Sequence, residues 1–193
     1  MIDKVVHDAL RYLGAKEQDP TAEEQLKRLF EEYSSVFCPR QITAVFNVKT
    51  LSPVVTFENC EVALEGDAIR RFFKDASQAI FSAFTLGIAF DKKVRELSLS
   101  RPAESVALNA LGSAYAERKA DELLQEERNK KHAEGFKTTF RFCPGYGDLP
   151  MTANVMIAAA LGANKKIGLT VQESGLLLPM KSIVGVTACV KEK

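Results

Sequence analysis

Residues 140–150, with the sequence Phe-Arg-Phe-Cys-Pro-Gly-Tyr-Gly-Asp-Leu-Pro, hold the residue types of this chain that best fit ligand chemistry. A strand is expected to deliver Arg141 to its end, and a helix is expected to begin after Pro150. An arginine binds a carboxylate through two parallel hydrogen bonds, and the first N–H groups of a helix also attract anions. Tyr146 offers a ring face to a base or to a cationic centre. The segment therefore indicates a site for a small ligand with a carboxylate or phosphate group.

The common nucleotide-binding motifs do not fit this segment. Gly145 and Gly147 are followed by Pro150, where a dinucleotide fingerprint needs a third glycine, and no Gly-Lys-Ser/Thr follows. From the residues alone, a Gly/Pro turn with Arg141 in a surface ion pair is the plainer interpretation. The segment is therefore a candidate site whose ligand class these motifs leave open.

Two further residues of the segment each have two interpretations. Asp148 could act as a general base, but capping of a helix beside the Gly147 turn is more economical. Cys143 lies near Arg141 and a helix start, which would favour a thiolate. Burial as a small hydrophobic side chain is the favoured alternative for this cysteine.

Composition places the chain among ordinary globular proteins. Hydrophobic residues make up 46% and charged residues 26%, and the formal net charge is +1, so no field of one sign attracts nucleic acid or an anionic membrane. The longest apolar run, residues 156–161, is far below the about 20 residues of a membrane span. The four cysteines are scattered without a C-x-x-C pair, which argues against zinc and disulfides. With no signal peptide visible, we expect a cytosolic protein that has no metal site.

Periodicity predicts the elements that position the candidate site. Helical spacing predicts helices over 3–13, from Pro20 to Pro39, from Asp67, from Pro102 to Gly135, and over 153–161. Alternation predicts strands over 42–48, 54–57, 61–64, 138–142, 166–171, 176–178 and 182–190. Residues 79–86 form a short, mainly apolar segment whose periodicity does not distinguish a strand from a buried helix. Without repeats or linkers, the chain is expected to form one α+β domain over residues 1–193, with a mostly antiparallel sheet and flanking helices.

Residues 141–150 resemble the Arg-x-x-Pro-Gly-Tyr loop of the activation domain of cobalamin-dependent methionine synthase. They resemble the Arg-Phe-Ser-Pro-Gly-Tyr-Gly-Asp form of small stand-alone relatives still more. The later run of residues 167–170 (Ile-Gly-Leu-Thr), Ser174 and residues 179–185 (Pro-Met-Lys-Ser-Ile-Val-Gly) is similar to that family in order and spacing. The resemblance is specific over roughly residues 138–186, with weaker echoes such as the Ala-Tyr-Ala-Glu stretch at residues 114–117.

This resemblance implies a function in the reactivation of cobalamin. The family's domain holds S-adenosylmethionine over a cobalamin carried by a neighbouring domain, so that oxidised cobalt is reduced by an electron donor and remethylated. The implied cofactor is S-adenosylmethionine, with cobalamin bound only through a partner. The implied partners are a corrinoid-binding protein or a methionine synthase that lacks its own activation domain, and a flavodoxin- or ferredoxin-like electron donor. The residues implied to bind S-adenosylmethionine are Arg141, for the methionine carboxylate, and Cys143, Pro144, Gly145, Tyr146 and Gly147 around the ligand.

The sequence departs from the family at two implied ligand contacts. Ser113 stands where the full-length enzymes have an acidic residue, and Thr187 stands where they have an aromatic one. Cys143 replaces a small Ser or Ala, and no Asp-x-His-x-x-Gly pattern is present to ligate cobalamin. Two functions therefore remain: an S-adenosylmethionine-binding reactivation subunit, or a non-catalytic module that docks on a corrinoid protein without binding S-adenosylmethionine.

Overall fold

The computed structural model describes residues 1–15 and 20–192. Its strands are β1 (Arg40–Thr50), β2 (Val55–Phe57), β3 (Cys60–Leu64), β4 (Gln78–Thr85), β5 (Phe136–Thr138), β6 (Thr170–Val171), β7 (Leu177–Leu178) and β8 (Ser182–Lys191). Its α-helices are α1 (Ile2–Tyr12), α2 (Pro20–Glu32), α3 (Asp67–Phe72), α4 (Ile88–Ser100), α5 (Pro102–Ala133), α6 (Ala153–Leu161) and α7 (Ala163–Ile167). Among these described residues, no helix is both long and apolar enough to span a membrane.

Six strands form one sheet in the order β3-β2-β1-β4-β8-β5, and each pair of neighbours is antiparallel. Strands β6 and β7 form a separate small ribbon. The α+β class and the antiparallel sheet predicted from the sequence are confirmed.

Helices cover both faces of this sheet. The alternating side chains of β4 point to two separate hydrophobic cores, so that Phe81 faces α6 and α7, and Phe84 faces α1, α2, α4 and α5. β4 is buried on both faces, and this explains why its sequence shows an apolar run without alternation.

The longest helix, α5, connects the helical layer to the candidate site. Pro102 occupies its favoured first position, and Gly135, with φ +80°, follows its end. Leu108, Leu111 and Leu124 are fully buried along the helix. This packing fixes the orientation of α5, and it leaves a polar stripe on the last half of the helix.

Several predicted boundaries were wrong, and two helices, α4 and α7, were missed. The second helix ends at Glu32 and is followed by a 3₁₀ turn over Ser34–Val36. A strand was predicted over residues 138–142, but β5 already ends at Thr138. The residues that follow pair with β8 only through a single bridge between Phe142 and Val186. The strand predicted over residues 166–171 is the end of α7 followed by the short β6, because Gly168 adopts the left-handed conformation between them. α4 was not predicted.

Candidate functional site

A polar groove runs between the last half of α5 and the chain that follows β5. The α5 wall consists of side chains spaced three or four residues apart, which places them on one helical face: Glu117, Asp121, Gln125, Arg128 and His132. The opposite wall is formed by Thr138, Thr139, Phe140 and Arg141, with Tyr146 beside them. The groove has a volume of about 590 Å³.

Arg141 is positioned by strand β8. The flanking Phe142 exchanges two backbone hydrogen bonds with Val186, of 2.8 and 2.9 Å. Gly185 allows the arginine stem to lie directly on β8, because a Cβ at this position would be only 2.7 Å from Cγ of Arg141. The prediction that the strand over residues 182–190 packs beside the Arg141 segment is confirmed.

The guanidinium of Arg141 is held by two carboxylates of α5. Its Nη1 donates to Oδ1 of Asp121 at 2.8 Å, and its Nη2 donates to Oε2 of Glu117 at 2.6 Å. The side chain is only 8% exposed, and Nε finds no acceptor among the described residues. The Arg141 side chain is therefore buried in the wall of a concave site, and it pairs there with two carboxylates that are about half exposed.

The wall opposite Arg141 is α5, whereas the sequence predicted the start of the helix after Pro150. The start of α6 instead contacts the loop before β7. A Cβ at Gly175 would lie 2.3 Å from the carbonyl oxygen of Met151, and Nδ2 of Asn154 donates to the carbonyl oxygen of Gly175 at 3.0 Å. The turn through Gly145 and Gly147, both at positive φ, carries the chain away from the groove before α6 begins. The prediction of a shared helix N-terminus was therefore wrong.

Of the six residues predicted to surround a ligand, two line the groove: Arg141 and Tyr146. The ring of Tyr146 is 51% exposed and packs edge-on against Phe142 at 5.8 Å between centroids. The other four predicted residues do not line the groove: Cys143, Pro144, Gly145 and Gly147.

The thiol of Cys143 is largely buried, and burial raises its pKa despite the nearby Arg141. A raised pKa keeps the thiol protonated at neutral pH. The structure therefore favours the small buried side chain over the reactive thiolate for this residue.

Asp148 caps a helix that precedes it by 80 residues in the chain. Its Oδ1 accepts from the N–H of Ala68 at 2.9 Å, and its Oδ2 accepts from the N–H of Asp67 at 2.6 Å. These bonds satisfy free N–H groups at the start of α3. They also hold the pKa of Asp148 below its ordinary value, with the Ala68 bond as the larger cause. The predicted capping role is confirmed, for α3, and a carboxylate with a lowered pKa is a poor general base.

Two residues depart from the family pattern: Ser113, which lies on α5, and Thr187, which lies on the α5-facing side of β8. Oγ of Ser113 accepts a hydrogen bond from Nζ of Lys181 at 2.8 Å, and burial lowers the pKa of this lysine. Both residues border a second groove of about 460 Å³, which adjoins the first at Glu117. Thr187 is fully buried, and its Oγ1 lacks a partner among the residues that the structure describes. A cation therefore stands beside the place where the resemblance implies a carboxylate.

Sequence reasoning missed most of the α5 wall. Asp121, Arg128 and the exposed ring of Phe140 were not identified, and Glu117 was noted only within a short family echo. Polar residues at helical spacing from residue 117 to residue 132 were the available signal, but this pattern is also typical of a solvated helix face. In the part of the chain described, no group of three or more His, Cys, Asp or Glu residues is arranged to hold a metal.

Comparison with known proteins identifies the fold. No protein-family model matches the sequence, and no curated protein is significantly similar to it. The chain is similar in structure to the crystal structure of the MetH reactivation domain bound to AdoHcy, with a TM-score of 0.71 and 15% sequence identity over 100% of this chain and 76% of that chain. A likeness at this identity shows the fold. The activation-domain-like fold implied by residues 138–186 is therefore confirmed for the whole chain.

Proposed function

We propose that this chain binds S-adenosylmethionine in the α5 groove and serves as a reactivation subunit for a separate corrinoid protein. The proposed partner is a methionine synthase that lacks its own activation domain or another corrinoid methyltransferase, with a flavodoxin- or ferredoxin-like electron donor. The observation that carries the proposal is the ion-pair network of the buried Arg141 with Glu117 and Asp121, three residues that line the groove. It occurs in a chain with the fold of a domain whose solved structure contains AdoHcy.

The charges of the groove suit the amino-acid end of S-adenosylmethionine. Arg141 carries one positive charge, and Glu117 and Asp121 carry two negative charges, so the network attracts an ammonium or sulfonium group. The exposed rings of Phe140 and Tyr146 border the same space. Aromatic faces attract cations and stack on planar rings. The groove therefore has surfaces for both the cationic and the aromatic part of this ligand.

The role of these residues in the reaction is orientation and exclusion of water. The cobalamin of a partner would supply the nucleophile for methyl transfer from a sulfonium, and this transfer needs no general acid or base. The chain must hold the sulfonium at a fixed angle and distance, which is the main contribution of a positioning site. Arg141 is mostly buried, and it is held in place by close contact with Gly185 and by two carboxylates. It therefore gives the wall of the groove a fixed position against which a ligand can be oriented.

A docking module that does not bind S-adenosylmethionine is the second candidate. It is favoured by one observation: both terminal nitrogens of Arg141 already donate to carboxylates, so its fork is not free for a ligand. The positive charge of Lys181 beside Ser113 also opposes an ammonium group at that end. Titration with S-adenosylmethionine separates the two candidates.

The experiment is calorimetric titration of the purified chain with S-adenosylmethionine, alone and with a corrinoid protein present. We expect binding, and we expect Arg141→Ala to weaken it by about 1.5–3 kcal/mol, the scale of a hydrogen bond to a charged group. Arg141→Lys should restore only part of the loss, because an ammonium cannot bind two carboxylates as a planar fork does.

The matched control is Arg118→Ala on the same helix. Arg118 pairs with Asp8 of α1 at 2.5 Å and lies outside the groove, so its loss should leave the affinity unchanged. Absence of binding under both conditions would favour the docking module. If Arg141→Ala leaves the affinity for S-adenosylmethionine unchanged, the proposed function stands but the ligand binds at another site.

A further inference from the structure

Arg128 is the arginine of the groove that lacks an acceptor. Its Nε is buried and has no hydrogen-bond partner, and none of the ion pairs among the described residues includes it. Arg141, in contrast, donates through both terminal nitrogens to carboxylates. The two arginines therefore differ in what they can still bind: Arg128 keeps its donors free, whereas those of Arg141 are mostly used.

A half-buried guanidinium without an acceptor is energetically unfavourable. Burial lowers the pKa of Arg128, although the nearby carboxylate of Asp121 opposes this shift. An arginine nevertheless remains protonated in proteins. Buried N–H donors are normally hydrogen-bonded, because a buried donor without an acceptor loses its hydrogen bond to water. The missing partner of Arg128 is therefore expected to be an anion that enters the groove.

The position of Arg128 on α5 directs it toward the Arg141 network. It follows Asp121 by two helical turns, about 10 Å along the axis, and side chains on a helix lean toward its N-terminus. Asp121 and Arg141 both influence the pKa of Arg128, Asp121 raising it and Arg141 lowering it. Arg128 therefore faces the same space as the network, on the side of His132.

We propose that Arg128 binds the carboxylate of a zwitterionic amino-acid ligand whose ammonium group faces the carboxylates of Glu117 and Asp121. This inference rests on the proposed function and names the contacts of its amino-acid end. A zwitterion needs an anion-binding and a cation-binding group a short distance apart, and the α5 stripe offers both. Arg141 then acts as a positioning residue that holds Glu117 and Asp121 in place.

The test compares S-adenosylmethionine with its decarboxylated form, which keeps the ammonium and the sulfonium but lacks the carboxylate. The wild-type chain should bind S-adenosylmethionine more tightly than the decarboxylated form. Arg128→Ala should weaken binding of S-adenosylmethionine by about 10- to 100-fold, the range expected for a charge-assisted pair. It should not weaken binding of the decarboxylated form, so that the preference disappears, and Arg128→Lys should retain part of it.

Two other variants decide between the arginines. Arg118→Ala, on the same helix, should keep the preference for the carboxylate. Arg141→Ala should weaken the binding of both ligands, because Glu117 and Asp121 are no longer held in place to bind the ammonium group. If Arg141→Ala abolishes the preference and Arg128→Ala keeps it, the carboxylate belongs to Arg141 and the inference is overturned, while the proposed function stands.

A spectroscopic readout applies even if S-adenosylmethionine does not bind. The Nε–H signal of Arg128, assigned by its loss in Arg128→Lys, should shift on titration with L-methionine or acetate, and the Arg118 signal should not. A shift supports an anion site at Arg128 independently of the proposed function. An Arg128 signal that stays unchanged with S-adenosylmethionine, L-methionine and acetate refutes it.

Discussion

The two halves of the segment that carries the sequence motif lie in different environments. Residues 139–142 run along β8, with Thr139 and Phe142 bonded to Ala188 and Val186, and they face α5 across the groove. Residues 143–150 turn away to the start of α3. There Asp148 caps the helix, and a Cβ on Gly147 would lie 2.7 Å from Cβ of Ala68. The first half therefore forms most of this wall of the groove, and the second half, apart from Tyr146, which also lines the groove, fastens the segment to the other side of the fold.

This difference shows that one motif can combine a groove-lining role and a structural role. The glycines and the aspartate of the motif make a tight loop that contacts α3, and the charges that face the groove come largely from α5. Substitutions in the first half or its supports should therefore change binding and stability together. Substitutions in the second half, other than at Tyr146, should change stability and leave binding intact.

The largest effect is expected for Gly185→Val, which acts on the first half. A Cβ at this position would lie 2.7 Å from Cγ of Arg141 and 2.9 Å from the carbonyl oxygen of Phe142. Overpacking of this kind costs about 1–3 kcal/mol, and here it also displaces Arg141 from Glu117 and Asp121. Urea denaturation should show the loss of stability, and titration with S-adenosylmethionine should show the loss of affinity. Gly185→Ala should give a smaller change in both, and unchanged values for both variants would mean that β8 does not position Arg141.

A smaller effect, on stability alone, is expected for Asp148→Ala in the second half. The variant leaves two N–H groups of α3 without their acceptor, so its melting temperature should fall at neutral pH while its affinity for S-adenosylmethionine is kept. The pKa of Asp148 is lowered in the fold, so its stabilising effect is fully present above the ordinary carboxyl pKa. It is lost as the pH falls through the lowered value.

Thermal melts at neutral and acidic pH measure this dependence. The difference between the wild type and Asp148→Ala should shrink as the pH falls through the lowered pKa. Asp75→Ala, which removes an exposed carboxylate, is the control and should show little change at either pH. A loss of ligand affinity in Asp148→Ala would break the proposed division between the two halves.

The sequence predicted those elements of the fold in which local signals and tertiary packing agree. α6 has the predicted bounds, because its apolar residues are followed by Gly162 in the left-handed conformation. α4 was missed because only Phe90 and Leu97 of its 13 residues are buried, so its apolar pattern is weak. β4 remained undecided because it is buried on both faces, and only its pairing with β1 and β8 identifies it as a strand.

For the site, the sequence identified Arg141 and Tyr146 but not the residues that face them. Glu117 is 24 residues from Arg141 in the chain, and Arg128 belongs to no recognisable binding motif in the sequence. Charged residues at helical spacing are compatible with simple solvation, and only the packing of α5 against β8 shows that this face borders a groove. Asp148 was identified as a cap, but its partner helix, α3, could be found only from tertiary contacts.

The smallest effect is expected for Lys181→Met, at the far end of the binding side. Burial lowers the pKa of Lys181, although Asp91 opposes this shift, and its hydrogen-bond acceptor is the neutral Oγ of Ser113. Because the unfolded chain binds this proton more readily, the stability of the wild type should rise as the pH increases from the lowered value to the ordinary lysine pKa. Methionine fills a similar volume without charge, so the variant should be slightly more stable at neutral pH, and this advantage should shrink at alkaline pH. Thermal melts over this pH range test the sign of the stability difference.

Lys181→Met also removes a positive charge beside Glu117, so it should strengthen the binding of a cationic ligand. Unchanged or weaker binding of S-adenosylmethionine would place the ligand away from this end of the groove.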